Sequence, residues 1–166
     1  MYLMTQTRID LHFPITQLSR RASAATTKDM IASDRILKYV ASTPNFGLTF
    51  CTYDDPLALH VMCDVSYNCY PESSKSHTGV SLHLGRSSCA FMTLSKKQTI
   101  IAESSTNAEL IGTHAVVKAI LWVYSLLSEL GYPQDKETTI LYQDNESTIN
   151  MISHNRNAGR SKHIQL

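Results

Sequence analysis

The stretch Leu59-His60-Val61-Met62-Cys63-Asp64-Val65 constrains the fold of this chain more than any other. A short apolar run rich in β-branched residues reads as a buried β-strand over 58–65, and this one carries an acid near its C-terminal end. A carboxylate taken out of water must be paired, hydrogen-bonded or bound to metal. An apolar strand offers no local reason for Asp64, so its partners must come from elsewhere in the chain.

At 166 residues the chain has the length of one ordinary domain with an appendage, and its 43% hydrophobic content suffices for a real core. The formal net charge of +1 creates no global field toward nucleic acid or membrane, so nucleic-acid binding has to come from local patches. Cys51, Cys63, Cys69 and Cys89 form no CxxC pair. They read as small buried hydrophobes in a reducing compartment, ahead of a disulfide or zinc framework. No apolar run of transmembrane length and no signal-peptide pattern stand out, which gives an expectation of an intracellular protein without a membrane partner.

Leu11, Ile15 and Leu18 suggest a helix with Pro14 in its first turn. Thr26-Thr27 caps a second, with Met30, Ile31, Ile36, Leu37 and Val40 as its apolar stripe. Residues 43–47 form a turn, 48–53 a short strand, and Asp54-Asp55-Pro56 a domain boundary. After the strand at 58–65, residues 66–77 read as a polar loop or wide hairpin. Strands at 80–84 and 88–94 follow, joined by a turn at Gly85-Arg86, and Ser95 to Gln98 is a polar connection. A long helix then carries Ala108, Ile111, Ala115, Ala119, Trp122, Leu126 and Leu130, and stops at Gly131 and Pro133. A strand at 138–142, a short helix at 147–153 and a basic tail over 154–166 complete the chain. The order strand-strand-strand-helix-strand-helix gives an α/β fold: an antiparallel meander, a crossover helix and a parallel strand in one mixed sheet with packed helices.

This topology suggests which acids meet. Asp64 ends the first strand and Asp144 follows the strand after the long helix. If these strands are parallel neighbours, the two carboxylates come together. Glu109, in the first turn of the crossover helix, supplies a third. Three acids without clustered His or Cys make a hard-oxygen site suited to Mg²⁺ or Mn²⁺. Two such ions about 4 Å apart serve phosphodiester hydrolysis. Duller readings stand beside this one. Glu109 lies three residues after Thr106, as in a capping box, and Asp144 is placed to cap the helix at 147–153. Lys96-Lys97-Gln98 is a solvated turn or, beside a phosphodiester, a phosphate contact.

At these residues the chain resembles a known family. Cys63-Asp64-Val65-Ser66-Tyr67, Ser76-His77-Thr78-Gly79, Ser95-Lys96-Lys97-Gln98, Ser104-Ser105-Thr106-Asn107-Ala108-Glu109-Leu110, Gln143-Asp144-Asn145-Glu146-Ser147 and Arg160-Ser161-Lys162-His163-Ile164 are similar to the ribonuclease H domain of Copia-type retrotransposon Pol polyproteins. Thr7-Arg8-Ile9-Asp10, Arg35-Ile36-Leu37-Lys38-Tyr39-Val40 and Thr43-Pro44-Asn45-Phe46-Gly47-Leu48 resemble the end of the preceding reverse transcriptase. The resemblance implies a mostly helical reverse transcriptase connection over 1–55 and a ribonuclease H-like domain over 56–166 that lacks its last strand and helix. It implies cleavage of the RNA strand of RNA–DNA hybrids, with Asp64, Glu109 and Asp144 as catalytic and metal-binding carboxylates. It places Lys75, Ser76, Lys97 and Gln98 near the substrate, makes the reverse transcriptase polyprotein a partner, and suggests the cytoplasm, in a virus-like particle, or the nucleus. The family's first motif usually holds an acid and a tryptophan where this chain has Ser66 and Tyr67, and a proline where it has Ile9. A fourth carboxylate usually follows. These departures set an alternative beside the nuclease: a fragment of a decayed or truncated element, catalytically impaired and at most a nucleic-acid or partner binding module.

Overall fold

The computed structural model of the chain describes residues 2–51, 57–134 and 139–153. It divides into two compact units, Met1–Phe50 and Cys51–Leu166. The stretch Asp54-Asp55-Pro56 and the basic tail lie outside the described residues.

The first unit is helical: α1 is Tyr2–Gln6, α2 is His12–Ser19 and α3 is Thr27–Ser42. Pro14 sits in the first turn of α2, where its missing N–H costs no hydrogen bond. Thr26 caps α3 in a reciprocal box with Asp29. The apolar stripe expected on α3 is not a core face. No residue of α3 is buried, and Met30, Ile31 and Leu37 are exposed. Residues 48–51 form no strand.

Arg8 organises this unit instead. It is 4% exposed. Its guanidinium forks onto Asp10 at 2.9–3.3 Å and reaches the Thr43 carbonyl at 3.0 Å and hydroxyl at 2.8 Å. The rings of Tyr39 and Phe46 lie 5.3 and 5.6 Å from its centre. The Arg8 fork holds the Asp10 carboxyl below the ordinary carboxylate range. A depressed acid contributes stability above its unfolded-state pKa and loses it as pH falls through the lowered, folded value. Arg8→Lys, which cannot form the fork, is therefore expected to weaken hydrogen-exchange protection of α3 at neutral pH. It should also flatten the loss of protection on acidification that the parent chain shows.

The second unit is built on β1, Leu59–Tyr70, which pairs antiparallel with β2, Lys75–Leu84. The third strand, β3, is Ala90–Lys97 and lies beyond β2. Helix α4, Ser105–Glu129, crosses over to β4, Ile140–Tyr142, which pairs parallel with β1; α5, Glu146–Ser153, follows. The sheet order is β3-β2-β1-β4, a mixed sheet of antiparallel and parallel pairs with packed helices, consistent with a ribonuclease H-like fold. On one face, Leu59, Val61 and Cys63 of β1 and Val80 and Leu82 of β2 pack against Val116, Ala119, Val123 and Leu127 of α4. By length and composition α4 is apolar enough to cross a membrane, contrary to the sequence expectation; here its inner side forms the core.

Of the two forms expected for residues 66–77, loop or wide hairpin, the chain takes the hairpin. The strands continue to Tyr70 and resume at Lys75, with a tight turn between them. These residues are polar because much of the hairpin arm is exposed, while its backbone stays paired. A bulge between Ser66 and Tyr70 absorbs the irregularity, with Asn68 at φ 47° and its N–H on the Ser76 hydroxyl at 3.1 Å. Ser95 to Lys97 belong to β3 rather than to a connection. The cysteines are free thiols, of which Cys63 is buried and Cys69, on the arm, is exposed.

Candidate metal centre

Parallel pairing of β1 with β4 sets the site. The register ends at Met62 opposite Tyr142. Two residues further along stand Asp64, on the same side of β1 as Met62, and Asp144, just past the end of β4. Helix α4 starts beside them and adds Glu109. One oxygen of each of Asp64, Glu109 and Asp144 lies within 4.8 Å of the others, so this acidic trio could hold a metal ion. Two oxygens on one small divalent ion at about 2.1 Å stand about 3–4 Å apart, so a modest contraction closes the site.

The burial of the three acids reverses the first expectation. Asp64 and Asp144 are exposed, and Glu109 is the buried member at 5% exposure. Asp64 lies on the sheet face opposite the core residues, and its strand runs on to Tyr70, so no desolvation cost demands a partner for it.

Neither capping alternative holds. Ser104 caps α4, its hydroxyl accepting the Asn107 N–H at 3.2 Å, which puts Glu109 in the second turn rather than in a capping box. Asn145 serves α5, its side-chain oxygen accepting the Thr148 N–H at 2.9 Å, so Asp144 is not the cap.

Gln143 was not singled out by sequence reasoning. Its Nε2 donates to Glu109 Oε2 at 3.0 Å, and its Oε1 accepts the N–H of Asp144 at 2.8 Å and of Asn145 at 3.2 Å. Nothing in the periodicity marks this residue; the signals were its place beside an acid after a strand and in the motif that opens at Gln143.

Burial pushes the Glu109 carboxyl above the ordinary range. The Gln143 amide and the Val65 backbone oppose that shift, while the charges of Asp144 and Asp64 add to it. The neighbouring Cys63 thiol is pushed up to about 12, first by burial and then by the three carboxylates. A raised acid binds its proton more tightly folded than unfolded, so its contribution to stability falls as pH rises through the folded pKa. Glu109→Gln is therefore expected to raise the melting temperature in chelator at neutral pH. The same change should abolish stabilisation by added divalent cation. Calorimetry with and without the ion checks both.

The four residues expected near a substrate divide into two kinds. Lys75 and Lys97 are partly exposed and share the sheet face of Asp64. Lys97 pairs with Glu72 at 3.4 Å and lies 4.4 Å from the centre of the Tyr70 ring. Ser76 and Gln98 are buried. Gln98 donates from Nε2 to the Ala108 carbonyl at 2.9 Å and to Thr78 Oγ1 at 3.0 Å, tying the end of β3 to the helix turn that carries Glu109. Among the histidines, His77 is buried between the Tyr70 hydroxyl at 2.6 Å and the Ser95 hydroxyl at 2.8 Å, outside the acidic cluster.

No family model and no solved structure matches the chain. It is 31% identical over 160 residues to the retrovirus-related Pol polyprotein from transposon RE2 of Arabidopsis thaliana and 30% identical over 160 residues to that from transposon RE1 of the same plant. Each match covers 96% of this chain, which spans only 11% of the polyprotein's length. Secreted RxLR effector protein 161 of Plasmopara viticola is 32% identical over 123 residues, 74% of this chain and 84% of that protein. Along nearly its whole length, then, the chain is homologous to a part of retrovirus-related Pol polyproteins from Copia-type transposons, and it also covers most of the effector protein.

Proposed function

We propose that this chain is a ribonuclease H-like part of a Pol polyprotein, which hydrolyses the RNA strand of RNA–DNA hybrids at a carboxylate site for two divalent cations. In this reading 1–55 are the end of a reverse transcriptase connection and 56–166 the nuclease domain. The observation that carries it is the convergence of Asp64, Glu109 and Asp144 from β1, α4 and the segment after β4. An all-carboxylate donor set fits Mg²⁺ or Mn²⁺. Such ions, when bound, activate a water and stabilise the departing oxygen of a phosphodiester.

The side chains have distinct tasks. Exposed Asp64 and Asp144 present their oxygens to an approaching phosphate, and buried Glu109 anchors the cluster from below. No side-chain nucleophile is required, because a water activated by the bound ions would supply the attacking oxygen. Lys75 and Lys97, on the face of Asp64, are placed to meet the hybrid's backbone, while Ser76 and Gln98 hold the strands that carry them. Hybrids are read by shape and 2′-hydroxyls, so cleavage carries no base specificity.

A second reading is an impaired remnant that binds hybrid or polyprotein without cutting. Ser66 and Tyr67, standing where the resembled family has an acid and a tryptophan, favour it. Incubation of the chain with end-labelled RNA–DNA hybrid and Mg²⁺ separates the two. Cleavage of the RNA strand, absent in chelator and on duplex DNA, supports the nuclease; retention of hybrid without cleavage supports the remnant.

A further inference from the structure

We propose that Gln143 is the positioning residue of the acidic cluster: its one amide ties the Glu109 carboxylate to the Asp144 backbone, so the acids stand in place before a cation arrives. The inference rests on the metal-site reading above. The three acids come from separate elements, and without an ion they repel one another. Between α4 and the segment after β4, Gln143 supplies attraction. Its Nε2 donates to Glu109 Oε2, and its Oε1 accepts the N–H groups of Asp144 and Asn145.

The chemistry of the partners selects the amide. An ionised carboxylate only accepts and a backbone N–H only donates, so the orientation of the Gln143 head is fixed. A glutamate here has no proton for Glu109, and a lysine has no lone pair for the two N–H groups. The amide oxygen already takes two hydrogen bonds, so Gln143 orients ligands instead of acting as one. Groups that orient metal ligands in this way typically change metal affinity 10–100-fold when removed.

The test is Mn²⁺ binding to the metal-free full chain, followed by the electron paramagnetic resonance signal of the free ion. Gln143→Ala is expected to bind Mn²⁺ about 10–100-fold more weakly than the parent. In the parent chain, Mg²⁺ titration is expected to move the side-chain amide resonances of Gln143 in step with occupancy. A merely structural role would lower the melting temperature of Gln143→Ala and leave its Mn²⁺ affinity at the parent value; that result overturns the proposal and spares the metal site. Amide resonances that stay fixed at saturating Mg²⁺ overturn it too, and this measurement decides alone if Gln143→Ala does not fold. A parent chain that binds no Mn²⁺ removes the metal site itself, and the proposal with it.

Discussion

Asp64→Asn is expected to fold as the parent does and to lose both Mn²⁺ binding and hybrid cleavage. The side chain is exposed and contributes nothing to the core formed by Leu59, Val61 and Cys63. Surface changes of this kind stay within about 0.5 kcal/mol. In the proposed metal site the loss falls on the ligand set, where one of three anionic groups becomes a neutral amide. Charge stabilisation by a bound cation is worth several kcal/mol in such reactions, and at about 1.4 kcal/mol per tenfold this is a rate loss on the order of a thousand-fold. Cleavage of labelled hybrid, read beside a melting curve in chelator, checks both halves. Cleavage at the parent rate by Asp64→Asn would remove the acidic trio from the chemistry.

Gly112→Ala carries the second large effect. A Cβ at this position would stand 2.6 Å from Val65 Cγ2 and 3.4 Å from Cys63 Sγ and Thr78 Cγ2. The obstacle is a β-branched side chain in a strand, which has little rotamer freedom to yield. Helix propensity alone favours alanine over glycine by about 1 kcal/mol. Overpacking a core costs about 1–3 kcal/mol, so the clash outweighs the gain and the net loss reaches about 2 kcal/mol. The relief available is for α4 to move off the sheet. Glu109 is three residues earlier, on the same side of the helix, and moves with it, away from the Val65 backbone. Gly112→Ala is therefore expected to lower the melting temperature by several degrees and to weaken Mn²⁺ binding as well. A variant as stable as the parent would show that α4 does not need this close approach.

The sheet was legible because its strands carry apolar alternation bounded by turn residues, and because Leu59–Val65 and Ile140–Tyr142 flank a helix of unbroken apolar spacing. The pairing of Asp64 with Asp144 followed from that topology. The errors and ambiguities have physical causes. At 66–77 polarity left loop and wide hairpin both open, because an exposed hairpin arm is as polar as a loop while its strands still pair. Cap positions were misplaced because Ser104 and Thr106, and likewise Asp144 and Asn145, are chemically interchangeable cap formers, and only backbone geometry chooses between them. Arg8 and Gln143 escaped for another reason: their roles are made by partners distant in sequence, Thr43 in one case and Glu109 in the other. The apolar stripe of α3 has the right spacing, but Met30, Ile31 and Leu37 find no cover.

The exposure of Asp64 and Asp144 has an evolutionary corollary. Two of the three acids sit where mutation leaves the architecture untouched, so selection for a folded product cannot guard the chemistry. In the proposed nuclease reading, copies of such a sequence can drift into silence while keeping their shape intact, and among descendants the state of these two positions, rather than overall likeness, distinguishes a working lineage from a relic.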